Sequence, residues 1–197
     1  MKIVLFDVGN VVVKADNEIT HKILQDYGVL EHNARRFYTN PEYLDFSRGK
    51  ITGKDFYRAL IGRYLQFQLT FQQVVYAHNE HLYDVDDGVV EFLSKIPREK
   101  LAFLTDTNEW QTEKERQLVD LSQYSDKIFR SHEIHRLKTD LDCFDYVFGE
   151  LKVEPSEILL VDDSPEKISI AQRKGLQTHQ FVDLENLVKE FQDRNLL

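Results

Sequence analysis

Residues 157–175 read EILLVDDSPEKISIAQRKG, and this stretch decides the fold. Glu157–Val161 (EILLV) is a short, uninterrupted apolar run of the kind that forms a buried strand. Asp162-Asp163 end the run. Ser164-Pro165 then supplies a helix cap and a first-turn proline, and Gly175 closes the helix they open. Strand, acidic doublet and capped helix in immediate succession are the beginning of a strand–helix–strand unit.

The same grammar recurs on both sides. Residues 2–6 (KIVLF) read as a strand that Gly9 and Asn10 turn, and Leu101–Leu104 read as a second apolar strand ending at Thr105. Asp87-Gly88 begins a helix through Val89, Phe92, Leu93 and Ile96, and helical sequence follows Thr105 to about 120. A weak strand around Lys127–Phe129 and a helix near 140–150 lead into the quoted stretch. A final strand near 176–181 and a helix from Asp183, with Leu184, Leu187, Val188 and Phe191 on one face, follow it. Strands alternating with helices predict an α/β fold with a doubly wound parallel sheet.

From about 17 to 83 the texture is helical only. Ile19, Ile23, Leu24 and Tyr27 share a face closed by Gly28, and Asn40-Pro41 opens a short segment that Gly49 ends. Thr52 caps a stripe of Phe56, Leu60, Ile61 and Tyr64, and Thr70 caps another of Phe71, Val74, Val75, His78 and Leu82. Several helices without a strand predict an inserted helical module. The expected organisation is an α/β core from 1–13 and 88–197, with a helical cap insertion at 14–87.

The 197 residues are 42% hydrophobic, which suits one compact core plus a small insertion. Lys and Arg total 25 against 34 Asp and Glu, a formal net charge of −9, with no basic stripe, so no nucleic-acid partner is expected. The single cysteine, Cys143, excludes an internal disulfide and a multi-cysteine metal site, and it fits a reducing compartment. Asp7 interrupts the apolar start and no cleavage pattern follows; no run reaches the length of a membrane span. A soluble, cytoplasmic protein without a membrane partner is the expectation.

In an open parallel sheet, ligands bind beyond the carboxyl ends of the strands. The three apolar strands end at Asp7, Thr105 and Asp162-Asp163. Each alone has a bland reading: a turn-forming Asp, a helix-capping Thr, a capping acid. Capping needs one acid at most, however, and two adjacent acids repel unless a cation or donor is near. Clustered carboxylates without Cys or His favour a hard ion such as Mg²⁺, which would also keep Asp7 ionised.

FDVGNVVV, LAFLTDTN, the lysine of HRLKTD and EILLVDDSPEKISIAQRKG stand in the order and spacing of the four motifs of the haloacid dehalogenase superfamily, which the chain resembles over essentially its whole length. The helical insertion resembles that superfamily's cap inserted after the first motif. RGKITGKDFYRAL is similar to the cap of sugar-phosphatase-like members whose first motif reads Asp-x-Gly-Asn. The resemblance implies a Mg²⁺-dependent phosphatase of a small phosphorylated metabolite, sugar phosphates first among them. Asp7 would attack phosphorus and become an aspartyl-phosphate, and Thr105 and the amide of Asp106 would bind phosphoryl oxygens. Lys138 would neutralise charge between Asp7 and phosphate. Asp7, the carbonyl of Gly9 and Asp163 would hold Mg²⁺, with Asp162 reaching it directly or through water.

The pattern also departs from the family. Most phosphatases of the superfamily carry a second Asp two residues after the nucleophile, as general acid and later base; here that position is Gly9. Asp106 stands where relatives commonly carry Asn, and His135 and Thr139 flank Lys138 where Gly and Pro are frequent. Two other readings follow: a catalytically silent relative that binds a phosphorylated ligand or partner protein, and a metal-free C–X hydrolase, which the retained acid pair disfavours. A receiver domain is set aside, because receivers are shorter and carry their phosphorylated Asp after a strand midway along the chain, where no comparable lone Asp follows a strand here. His78 and His81 lack a third ligand for a metal, while His132 and His135 are expected at the mouth of the site or exposed. Some of the cap aromatics Phe37, Tyr38, Tyr43, Phe46, Phe56 and Tyr57 should face the cleft.

Overall fold

The computed structural model of the chain describes residues 1–65 and 69–196. β1 (Ile3–Phe6) is followed by a short β2 (Val13–Ala15) and five helices: α1 (Asn17–Asp26), α2 (Glu31–Ala34), α3 (Pro41–Ser47), α4 (Gly53–Arg63) and α5 (Phe71–Asn79). β3 (Leu82–Val85) and α6 (Asp87–Leu93) lead back to the alternating part. There β4 (Leu101–Thr105), α7 (Glu109–Leu118), β5 (Ile128–Arg130), α8 (Ser131–Ile134) and α9 (Cys143–Leu151) come first. β6 (Ile158–Asp162), α10 (Pro165–Arg173), β7 (Gln177–Gln180) and α11 (Leu184–Asp193) complete the chain.

The sheet runs β5-β4-β1-β6-β7, all parallel, as the alternation of elements predicts. β1 lies at its centre, with Phe6 opposite Phe103 on one side and Val161 on the other. Such a strand has no solvent face, which is why β1, β4 and β6 are buried throughout. Successive side chains feed opposite layers. Val4 and Phe6 pack with Phe92, Leu187 and Phe191, while Ile3 and Leu5 pack with Phe144, Val147 and Ile168.

Two expectations are corrected in detail. Leu82, assigned to the α5 stripe, belongs to β3, which pairs antiparallel with β2 in a two-stranded ribbon (Val13 opposite Val85, Lys14 opposite Asp84). Strands of three and four residues carry too few side chains for a period to show, and their partner is some seventy residues away. α6 ends at Leu93, short of Ile96. Within the block read as helical, residues 66–68 lie outside the described residues.

The helices between β2 and β3 start as their caps dictate. Asn40 accepts from the Tyr43 N–H at 2.7 Å, Thr52 accepts from Asp55, and Thr70 forms a capping box with Gln73. Their apolar faces form a separate cluster around Phe37, Phe46, Phe56 and Leu60, and Trp110 of α7 inserts into it, 4.8 Å from the Phe46 ring. The helical layer is thus keyed onto the sheet domain through α7. Further ties are the paired Arg48–Asp140 hydrogen bonds (2.8 and 2.6 Å) and His135 Nδ1, 2.9 Å from the Arg48 carbonyl.

Gly49 sits in this seam with φ +65°, and a Cβ there would run into the His132 backbone carbonyl. Left-handed backbone alone costs a side-chain-bearing residue about 1–2 kcal/mol, and the clash adds to it. Gly49→Ala should therefore lower the melting temperature by about 3–8 °C for a chain of this size. An unchanged melting curve would show that the seam yields without cost.

Candidate active site

The sheet order places the ends of β1, β4 and β6 side by side, so Asp7, Thr105 and Asp162-Asp163 share one rim. Asp7 follows the central strand and its N–H donates to the Val161 carbonyl at 2.8 Å, continuing the ladder to β6. Lys138 comes from the loop after α8 and is fully buried. Its Nζ lies 2.8 Å from Asp7 Oδ1 and 2.6 Å from Asp162 Oδ2. Its backbone N–H donates to Asp106 Oδ1 at 2.9 Å. The residues singled out from sequence thus converge, and the lysine is the opposite of a solvated surface residue.

The carboxylates are not equivalent. Asp7 Oδ1 accepts from the Val8 N–H (2.6 Å) and faces Lys138, leaving Oδ2 the less engaged oxygen. Asp162 has both oxygens occupied, Oδ1 by the Ser164 N–H at 2.9 Å and Oδ2 by Lys138. Asp163 lines a cavity of about 310 Å³ together with Asp7, Gly9, Asn10, Thr105, Asp106 and Lys167. Asp162 does not line it. Its position matches an anchor for Lys138, whereas Asp163 is open to a ligand.

Lys167 is a site residue that the motif reading did not single out. Its Nζ is 3.8 Å from Asp7 Oδ2 and 3.4 Å from Asp106 Oδ2. It stands one helical turn beyond Asp163, in the first turn of α10, so the i, i+4 spacing was the available signal. The cavity wall away from the sheet also contains Tyr43, His81, Gln111 and Glu115. Of the aromatics expected at the cleft, Tyr43 is the one in that wall. Neither His132 nor His135 is in that wall: His132 lies in a separate cleft with Phe46 and Glu109, and His135 is exposed, as one of its two expected placements had it, with φ +58°.

Charge sets the behaviour of these groups. Burial raises the Asp7 pKa, but the ammonium groups of Lys138 and Lys167 outweigh it and hold the carboxyl below its ordinary value. Burial and then the charge of Asp7 push Asp162 and Asp163 upward. Burial depresses Lys167, yet the surrounding carboxylates win and raise it above an ordinary lysine. Asp7, Asp106, Asp162 and Asp163 against Lys138 and Lys167 leave a formal 2 − 4 = −2. Asp7, Asp162 and Asp163 each bring an oxygen within 4.8 Å of the others. A hard divalent cation fits this all-oxygen donor set and its charge deficit.

A parallel α/β domain that concentrates acids and a buried lysine at one carboxyl rim, beneath a helical layer, has the features of an active site. The family model of haloacid dehalogenase-like hydrolases matches residues 4–181, and the chain belongs to that family. A D-ribitol-5-phosphate phosphatase of Bacteroides thetaiotaomicron is 24% identical over 189 residues, covering 91% of each chain. The crystal structure of a HAD family enzyme from the same organism, in complex with magnesium and inorganic phosphate, superposes with a TM-score of 0.84 at 23% identity, covering 95% of this chain and 98% of that one. A HAD-like family hydrolase from Porphyromonas gingivalis gives 0.85 at 23% identity, covering 99% and 98%. At these identities the two structures speak for the fold.

Lys138→Met removes the cation between two buried carboxylates. Leaving a buried pair half empty costs about 3–5 kcal/mol, so urea unfolding should shift by that amount, and Asp162→Asn added to Lys138→Met should recover part of it. A Lys138→Met protein as stable as the parent would contradict this electrostatic reading.

Proposed function

We propose that the protein is a Mg²⁺-dependent phosphatase of a small phosphorylated, sugar-like metabolite, acting through an aspartyl-phosphate on Asp7. The observation that carries this reading is a buried carboxylate kept ionised by two lysines at the end of the central strand. Such a nucleophile together with concentrated positive charge suits phosphate-ester cleavage through a covalent intermediate. The D-ribitol-5-phosphate phosphatase relative, with 91% of each chain covered, supports a phosphorylated polyol or sugar as the substrate class.

In this reading residues 1–13 and 88–197 are the catalytic core and 14–87 the cap, which excludes water from the reacting phosphate. Asp7 Oδ2 attacks phosphorus while the bond to the ester oxygen breaks. The Thr105 hydroxyl and the Asp106 amide hold phosphoryl oxygens, and Lys138 and Lys167 offset their charge. Asp7, Asp163 and the Gly9 carbonyl would hold Mg²⁺, and Asp162, which also fixes Lys138, would reach it directly or through water. When bound, the ion supplies further charge neutralisation to the phosphoryl group. Water then cleaves the aspartyl-phosphate. The Asp162-Asp163 doublet, which a metal-free C–X hydrolase does not need, speaks against that alternative. Hydrolysis of an aryl phosphate should require Mg²⁺ and vanish in Asp7→Asn; turnover that persists in Asp7→Asn sinks the reading, and its complete absence in the parent favours the silent, ligand-binding one.

Gly9 explains which leaving groups suit the site. The second carboxylate of related enzymes is missing, so an aryl or anomeric oxygen, which leaves with little protonation, should turn over faster than an alkyl one such as the primary oxygen of a polyol phosphate, which leaves without that acid to protonate it. A Cβ built on Gly9 meets nothing within 4 Å, and the backbone there is not in the left-handed region. The space for the missing acid is open. Gly9→Asp should therefore raise turnover of a simple alkyl phosphate, by up to about 10²–10⁴-fold for a well-placed acid, with little gain on an aryl phosphate. Equal gains on both substrates, or none, would contradict this account of the leaving group.

A further inference from the structure

Asn108, three residues after Thr105, is completely buried, and all of its side-chain capacity is used. Its Oδ1 accepts from the N–H groups of Trp110 and Gln111, both at 3.1 Å, capping α7. That fixes the amide orientation, because a flipped amide would set donors against donors. Nδ2 must then donate, to Gln111 Oε1 at 2.8 Å and to His78 Nε2 at 3.1 Å.

The consequences propagate into the helical layer. His78 Nε2 is an acceptor, so the ring proton is on Nδ1, which faces the Tyr38 hydroxyl at 3.4 Å. Thr20 donates to the Ala77 carbonyl (2.8 Å), so the Tyr38 hydroxyl donates to Thr20 Oγ1 at 2.7 Å. On the other branch Gln111 Nε2 donates to His81 Nε2 at 2.9 Å, and His81 Nδ1 donates to the His78 carbonyl. Both histidines are thereby neutral with one defined tautomer. Burial acts in the same direction, holding His78 far below its ordinary value and His81 down to about 4. The neighbouring residue Thr107 is tied too: its N–H donates to Ser131 Oγ (2.8 Å), a hydroxyl 2.7 Å from the Ser47 carbonyl of α3.

We propose that Asn108 is a positioning residue: through its hydrogen bond to His78 it makes the shape of the Thr105–Asn108 loop depend on the seating of the cap over the cavity. The loop carries Thr105 and the Asp106 amide, and His81 and Gln111 on the same network line the cavity. A cap seated elsewhere would break the Asn108–His78 and Gln111–His81 bonds, leaving buried donors and acceptors unpaired. Loop and cap therefore prefer one joint arrangement. The inference rests on the phosphatase reading for its consequence in turnover.

Two substitutions separate positioning from helix capping. Asn108→Ser keeps a side-chain oxygen for α7 but replaces the two Nδ2 hydrogens with a single hydroxyl hydrogen on a shorter side chain, so the bonds to His78 and Gln111 are not both kept. It should keep its melting temperature within a few degrees, weaken orthophosphate binding to the Mg²⁺-loaded protein, and lower kcat/KM for an aryl phosphate by about 100-fold, the scale of a misplacement near 1 Å. Asn108→Asp puts a carboxylate against His78 Nε2. Relative to the parent at each pH it should be impaired at about pH 8 and recover toward about pH 6, because the new carboxylate offsets the burial that depresses His78, which then takes up a proton and becomes the donor. Among the described residues the titratable groups packed around His78 are Tyr38, Tyr43 and His81, with Lys114 beyond His81, and the substitution leaves all of these in place. Parental activity and orthophosphate affinity in Asn108→Ser, or an Asn108→Asp loss equal at both pH values, overturns the proposal. Should Asn108→Ser not fold, His78→Phe, which fits the aromatic surroundings but accepts nothing, must show the same loss. If the parent neither hydrolyses a phosphate ester nor binds orthophosphate, the phosphatase reading fails. The coupling is then decided by amide hydrogen exchange over residues 71–81, which Asn108→Ser must accelerate.

Discussion

A fully buried lysine between two buried carboxylates is the interaction on which the rest of this molecule depends. Lys138 bridges the carboxyl ends of the two central neighbours, Asp7 after β1 and Asp162 at the end of β6. Neither acid could stay charged there alone, because removing a charge from water costs several kcal/mol even after relaxation. The parallel order of the sheet makes the bridge geometrically available, and the bridge in turn permits acids where the strands end. Its charge is incomplete. Four carboxylates against two ammonium groups leave a deficit that a divalent cation answers, and the same excess holds Lys167 firmly protonated.

Much of this could be read from residue order. The β6–α10 unit follows from EILLV, the acidic doublet and the Ser164-Pro165 start, and the structure reproduces it almost residue for residue. Asp7, Thr105 and Asp163 were legible because a parallel sheet brings strand ends together whatever connects them. Lys138 was legible only through its motif, since nothing local marks a lysine for burial. The β2–β3 ribbon escaped notice because its stability comes from a distant partner rather than from a repeating pattern. Lys167 and Asn108 escaped for another reason. A lysine in a first helical turn and an asparagine at a helix start have sufficient local explanations, and only the folded chain shows what else they touch.

The helical layer is held by two kinds of contact with different tolerances. Trp110 among Phe46, Phe56 and Phe71 is non-directional and survives small shifts. The bonds from Asn108 and Gln111 to His78 and His81 are directional and allow one set of tautomers. Under the proposed function, a layer joined by tolerant aromatic contacts and directional hydrogen bonds suits a site that must admit a substrate and then exclude water. In the proposed reaction, the glycine at position 9 leaves more of the chemical burden to charge and positioning.

The central claim is that Asp7 itself takes the phosphoryl group. Acid-quenching the Mg²⁺-loaded enzyme during turnover of an aryl phosphate, followed by proteolysis and mass spectrometry, tests it directly. The account predicts a phosphoryl group on the peptide containing Asp7 and none on the peptide containing Asp162 and Asp163. A label on the latter peptide, or turnover with no acid-stable acyl-phosphate at any point, would contradict it.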